Sequence, residues 1–168
     1  MRKKSALILF FFLLRIGFMD KVLIYMDCCC LNRPSDDQKQ DKIRIESDVI
    51  MAILFRCFWG PWTLLGSDVL EYEIMKTPDQ NKKDRALNLY GLRKENIMID
   101  LDIVKRAHEM QKFGLTAADS MHYASAEKGC ASILLTVDTN FVKNSKRIHS
   151  PLRVENPVKW FLEVTEND

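Results

Sequence analysis

The sequence predicts a three-layer α/β/α domain built on a central parallel sheet of four to five strands. Short apolar, β-rich runs alternate with stretches of helical period, the pattern of repeated strand–helix–strand units with helices on both faces. Capping and breaking residues mark the junctions, and no internal repeat, low-complexity tract or linker interrupts the order. Two of the apolar runs lead directly to a carboxylate, Asp27 and Asp138, which places acids at one edge of the sheet.

Lys21–Met26 (KVLIYM) reads as a buried first strand ending at Asp27, and Cys28–Pro34 as a turn with Asn32 and Pro34 as breakers. A helix follows from Lys42 to about Phe58, with Ile43, Val49, Ile50, Ile53, Leu54 and Cys57 near helical period, and Gly60-Pro61 stops it. Glu46 shares the face of Ile43, Ile50 and Ile53, an unusual place for a carboxylate. Trp62–Leu65 is the second strand, and Gly66-Ser67 turns the chain into a helix with Ser67 as N-cap. In that helix Glu73 follows Val69 and Leu70 at helical spacing and faces inward, whereas Glu71 follows Ser67 and Asp68 and faces out. Thr77-Pro78-Asp79 opens a helix from Gln80 to about Leu92. Asn96–Ile99 is the third strand, and Asp100 caps a helix over Leu101–Lys112. Thr116 caps the Ala-rich helix that carries Asp119 in its first turn, and Gly129 stops it. Ser132–Val137 is the fourth strand, Thr139–Arg147 a short helix, Leu152–Val154 a last strand, and Asn156-Pro157 starts a terminal helix bearing Trp160, Phe161 and Val164.

With 168 residues the chain can bury one sizeable core, and its 47% hydrophobic and 29% charged content is that of a globular protein. Of the 25 basic residues, Arg2, Lys3, Lys4 and Arg15 lie in the first 18 positions, leaving 21 basic against 23 acidic residues in the body. A body this close to neutral lacks the broad basic footprint of nonspecific nucleic-acid binding, so a nuclease of this composition needs a cation to meet phosphate. The cysteines Cys28, Cys29, Cys30, Cys57 and Cys130 offer neither a disulfide framework nor zinc spacing, which indicates reduced, semi-buried thiols and a cytoplasmic protein. Residues 1–18 read as an N-terminal extension or mis-assigned start, and residues 19–165 as a single domain beginning at Met19. The apolar run Ala6–Leu14 is shorter than the roughly 20 residues a membrane span needs, so no stable membrane insertion is expected.

Ligands of an open parallel sheet bind beyond the carboxyl ends of its strands. Asp27 and Asp138 follow strands, while Glu73 and Asp119 sit in early turns of helices leaving the same edge. Clustered carboxylates repel unless a cation neutralises them, and an all-oxygen donor set suits Mg²⁺ or Mn²⁺ acting on a phosphodiester. Each acid also has a structural reading: Asp138 as a helix cap, Asp119 as a dipole partner, Glu46 as half of a buried ion pair. Asn140 makes a turn or meets a metal-bound water, and His122, one turn after Asp119, reads as a satisfied core or rim histidine.

These segments together resemble PIN-domain ribonucleases, in particular VapC-type toxins of bacterial and archaeal toxin–antitoxin systems. The resemblance rests on VLIYMDCCCLNRP, GSDVLEYEI, GLTAADSMHYASAEKGCASILLTVDTNF and NPVKWFLE, spread over Lys21–Val164. It implies a PIN-like domain whose catalytic acids are Asp27, Glu73, Asp119 and Asp138, with Asp27, Asp119 and Asp138 holding Mg²⁺ or Mn²⁺ and Glu73 orienting the nucleophile. It further implies cleavage of single-stranded RNA, homodimers and inhibition by a cognate antitoxin. Asn140 stands where many members have a further acid, and Cys28-Cys29-Cys30 replaces the usual hydroxyl, leaving Asn32 or Arg33 to meet phosphate.

Other readings use the same residues. A metal-dependent phosphatase would want a second aspartate two positions after Asp27, where Cys29 stands. A catalytically weak PIN-like module binding RNA or a partner would not need all of the acids. A receiver domain would need a lysine after a late strand, and none is evident.

Overall fold

A computed structural model describes residues 22–166. The extension expected at residues 1–18 lies outside the described residues. The five parallel strands are β1 (Leu23–Met26), β2 (Thr63–Ser67), β3 (Glu95–Ile97), β4 (Ile133–Leu135) and β5 (Arg153–Glu155), in spatial order β3-β2-β1-β4-β5. From β1 the chain adds β2 and β3 on one side, then returns to lay β4 against the other edge of β1. The registers Leu23↔Thr63 and Met26↔Leu135 put the carboxyl ends of β1 and β4 side by side.

Strand alternation divides the core into two layers. Ile24, Met26, Leu64, Ile133 and Leu135 face one side, with Ile50, Ile53 and Leu54 of α2 (Asp41–Trp59), Leu70 and Ile74 of α3 (Asp68–Met75), Ala86 and Tyr90 of α4 (Gln80–Tyr90), and Trp160 of α8 (Pro157–Thr165). Tyr25, Leu65, Leu134 and Val154 face the other, with Met110 of α5 (Leu101–Gln111), Tyr123 of α6 (Ala117–Lys128) and Phe141 of α7 (Thr139–Ser145). The result is the expected three-layer α/β/α arrangement. No helix among the described residues is long and apolar enough to cross a membrane.

The caps read from sequence are in place. Ser67, Asp79, Asp100, Thr116 and Asn156 each accept a hydrogen bond from a backbone N–H in the first turn of the following helix. Two local readings are corrected, and the stop at Gly129 stands. The Cys28–Pro34 segment is not a turn but a helix, α1 (Cys28–Asn32), followed by a 3-10 turn over Arg33–Ser35. Asp27 caps α1 by accepting the Cys30 N–H at 3.0 Å, and Pro34 falls in the first turn of the next element, where its missing N–H costs nothing. Gly66 lies inside β2 rather than in a turn, because any side chain there would strike Arg93 and the Tyr90 ring. Gly129 ends α6 with an ordinary negative φ, and the left-handed residue is Cys130 (φ 52°). A Cβ on Gly129 would meet Ile97 at 2.9 Å, so close packing accounts for the glycine.

Glu46 is 2% exposed. Its carboxylate faces Arg33 Nε at 3.0 Å and accepts the Asn156 side-chain N–H at 3.2 Å, joining α2 to the 3-10 turn and to the cap of α8. Removing one partner of a buried ion pair leaves a charge without compensation. Glu46→Ala is therefore expected to cost about 3 kcal/mol. Urea unfolding at unchanged m-value measures it, and a midpoint equal to that of wild type would contradict the assignment.

Candidate active site

The boundary between β1 and β4 is the point at which the strand order reverses, and a crevice opens there beyond the strand ends. Asp27 lies at its floor, 3% exposed. Its backbone N–H continues the β1–β4 ladder to Leu135 O at 3.2 Å. The Thr136 hydroxyl, on the strand end beside it, accepts the Asp138 N–H at 3.0 Å. Asp138 caps α7, its Oδ1 accepting the N–H groups of Asn140 and Phe141 at 2.7 and 3.2 Å. It also lines an open cleft of about 340 Å³ with Cys29, Asn32, Arg33, Asp36 and Val137. Both readings of Asp138, cap and site residue, are thus compatible in one geometry.

Cys29 is exposed and lines the cleft beside Asp138, and its partial desolvation, followed by the nearby carboxylates, raises its thiol. Burial likewise pushes the Cys28 thiol up to about 12, so neither cysteine supplies a thiolate at neutral pH. Glu73 is half-buried, and its Oε2 lies 2.7 Å from His122 Nε2. Against its partial burial, the hydrogen bond with His122 pulls the Glu73 carboxyl below its ordinary value.

Asp119 lies in the first turn of α6, its N–H donating to the Thr116 hydroxyl at 3.1 Å. Its carboxylate has no hydrogen-bond or ion-pair partner among the described residues, and it lies one helical turn before His122. Asn32 lines the cleft and donates its side-chain N–H to Cys28 Sγ at 3.2 Å, leaving a buried Oδ1 without a hydrogen bond. Asn140 is exposed, with its backbone N–H on Asp138. Glu46 stands behind the cleft and holds Arg33, the structural alternative offered by its sequence position. Sequence reasoning gave no role to Thr136, although it stands two residues before Asp138, and it read His122 without its partner.

Among the described residues, no three His, Cys, Asp or Glu side chains stand close enough to hold a metal ion by themselves. The donors are nonetheless hard carboxylate oxygens beside protonated thiols. Mg²⁺ commonly uses one or two such carboxylates and completes its shell with water and phosphate. The residues present fit that mode of binding.

The fold and this crevice define an α/β/α chain of the PIN type, with acids gathered at the switch point of a parallel sheet. Solved structures share the fold. VapBC2 from Rickettsia felis, determined bound to a DNA fragment from its promoter, superposes with a TM-score of 0.52 at 16% identity over 80% of this chain and 98% of that one. A toxin–antitoxin complex from Klebsiella pneumoniae gives a TM-score of 0.52 at 20% identity, covering 80% and 97% of the two chains. The Mycobacterium tuberculosis toxin VapC20, described as cleaving the sarcin–ricin loop, gives 0.53 at 12% identity, covering 77% and 98%. No family model and no curated protein sequence matches the chain.

Burial raises the Asp27 carboxyl above its ordinary 3.8, opposed by His122, Thr136 and Cys30. A raised folded-state value means that the stability tied to the neutral acid is present below the unfolded value and lost as pH rises through the folded one. Asp27→Asn keeps the cap and removes that loss. In EDTA its melting temperature is expected to match wild type near about pH 4 and to exceed it by a few degrees at pH 7. Thermal melts across that range check it, and a mutant less stable than wild type at pH 7 would contradict it.

Proposed function

We propose that this chain is a Mg²⁺- or Mn²⁺-dependent endoribonuclease that cleaves single-stranded RNA, the toxin of a toxin–antitoxin pair. The observation that carries the reading is the pairing of β1 with β4, which brings Asp27 and Asp138 out of adjacent strand ends at the switch point, in the fold of the toxin structures above.

In this reading Asp27, Asp119 and Asp138 hold the cation, directly or through water, and Glu73 orients the attacking water. A bound divalent cation neutralises phosphate charge and makes water more acidic. The β1–β4 ladder keeps Asp27 and Asp138 side by side, and Asn32 and Arg33 meet the substrate phosphates along the cleft. Arg33 suits that role because Glu46 and Asp36 fix its guanidinium in advance. The cleft is open, as an extended RNA strand requires. A cognate antitoxin is the expected protein partner, and a homodimer the expected assembly. Both are supported by the large apolar side chains left exposed, including Phe55, Trp59, Met98 and Leu101.

A catalytically weak PIN-like binding module is the second reading, favoured by the absence of a three-residue metal cluster among the described residues. A metal-dependent phosphatase fits less well, since Cys29 occupies the place of its second aspartate.

Cleavage of labelled single-stranded RNA by the full chain, with Mg²⁺ or Mn²⁺ and with EDTA, separates these readings. The nuclease is expected to act only with the metal, and Asp119→Asn to abolish cleavage while leaving the melting curve in place. Folded wild-type protein that binds RNA without cutting it would favour the binding module.

A further inference from the structure

His122 is 2% exposed, and both its ring nitrogens are engaged. Nε2 lies 2.7 Å from Glu73 Oε2, and Nδ1 lies 2.8 Å from the Tyr25 hydroxyl, which is 2.6 Å from Ser67 Oγ. Ser67 in turn accepts the Leu70 N–H at 3.2 Å. One set of protons satisfies the whole chain with a neutral ring. An ionised Glu73 can only accept, so Nε2 carries the hydrogen and Nδ1 accepts from Tyr25, which accepts from Ser67.

A histidine buried in this way cannot reach an RNA phosphate, which excludes it as the base. A histidine serving the core alone would be satisfied by buried groups such as Tyr25. Its second partner is instead Glu73, which is half-buried and whose Oε1 has no partner among the described residues. We propose that His122 is a positioning residue: it fixes one oxygen of Glu73 and leaves the other directed to the reaction, while Tyr25, backed by Ser67, fixes the ring. Strand β1 thus supplies Asp27 to the site and, two residues earlier, the hydroxyl that orders a second acid. A side chain locked before substrate arrives spends less freedom on reaching its working geometry.

The inference rests on the ribonuclease reading, so its test combines kinetics with a readout independent of cleavage. Long-range ¹⁵N–¹H spectra of the full chain are expected to show His122 as the Nε2–H tautomer. Those signals should shift in Glu73→Gln, and Tyr25→Phe should mix the two tautomers. In the cleavage assay His122→Phe is expected to lower kcat about ten- to a hundredfold at unchanged KM. His122→Gln, whose amide can donate to Glu73, should regain most of the loss. Adding His122→Phe to Glu73→Gln should cost nothing more. Unchanged kcat in His122→Phe, or losses that multiply in the double variant, would overturn the proposal. If His122→Phe does not fold, His122→Gln and Tyr25→Phe carry the same comparison. Wild-type protein that cleaves no RNA overturns the ribonuclease reading, and the spectra then decide alone. A His122 signal unmoved by Glu73→Gln overturns the positioning, and a shifted one upholds it.

Discussion

The pairing of β1 with β4 is the constraint on which the rest of the structure depends. Met26 stands opposite Leu135, and the ladder extends one bond further to Asp27. Both strands are buried on both faces, with Ile24, Tyr25, Met26, Leu134 and Leu135 fully enclosed, so a slip in register would transfer apolar side chains between layers. The register therefore fixes where the two chains leave the sheet. Asp27 enters α1 and Asp138 enters α7 from adjacent points, and the Thr136 hydroxyl holds the Asp138 N–H. The Cys30 thiol donates to Leu135 O at 3.4 Å, fastening α1 to the same strand end.

This arrangement stores electrostatic cost at the crevice. A desolvated Asp27 and a partly buried Glu73 lie in one region, and their local compensation is dipolar: the Thr136 hydroxyl, the Cys30 N–H and the imidazole of His122. The amino ends of α3, α6 and α7, with their Ser67, Thr116 and Asp138 caps, leave the same edge and favour negative charge there. Glu46 shows the contrast, since its equally buried carboxylate has a built-in partner in Arg33. Burial of charge at Asp27 is thus left without a cationic partner among the described residues, whereas the charge at Glu46 serves as a strut.

Much of this was legible in the sequence, because strands and caps are local signals. Apolar runs such as KVLIYM and SILLTV located β1 and β4, although the ordered strands are shorter, and Ser67, Asp100, Thr116 and Asn156 announced their helices. Helical spacing also separated Glu73 from Glu71, which is exposed. The misreadings arose where a residue does a job other than its commonest one. Asn32 and Pro34 suggested a turn, yet Pro34 sits where a helical turn tolerates proline, and Asp27, read as a site acid, also caps α1. Gly66 suggested a turn, yet it lies inside β2, where neighbouring side chains leave no room for a Cβ. His122 was opaque for a different reason. Its partners Tyr25 and Glu73 lie 97 and 49 residues away, and no spacing rule links a helix to positions that only the sheet brings near.

The acids at the β1/β4 switch point are proposed as a divalent-cation site. Mn²⁺ binding to the full chain, followed by electron paramagnetic resonance, checks this without a substrate. A saturable site is expected, with affinity falling sharply in Asp27→Asn and in Asp138→Asn and less in Glu73→Gln. Binding that is unchanged in both aspartate variants, or no saturable binding to folded wild-type protein, would contradict it.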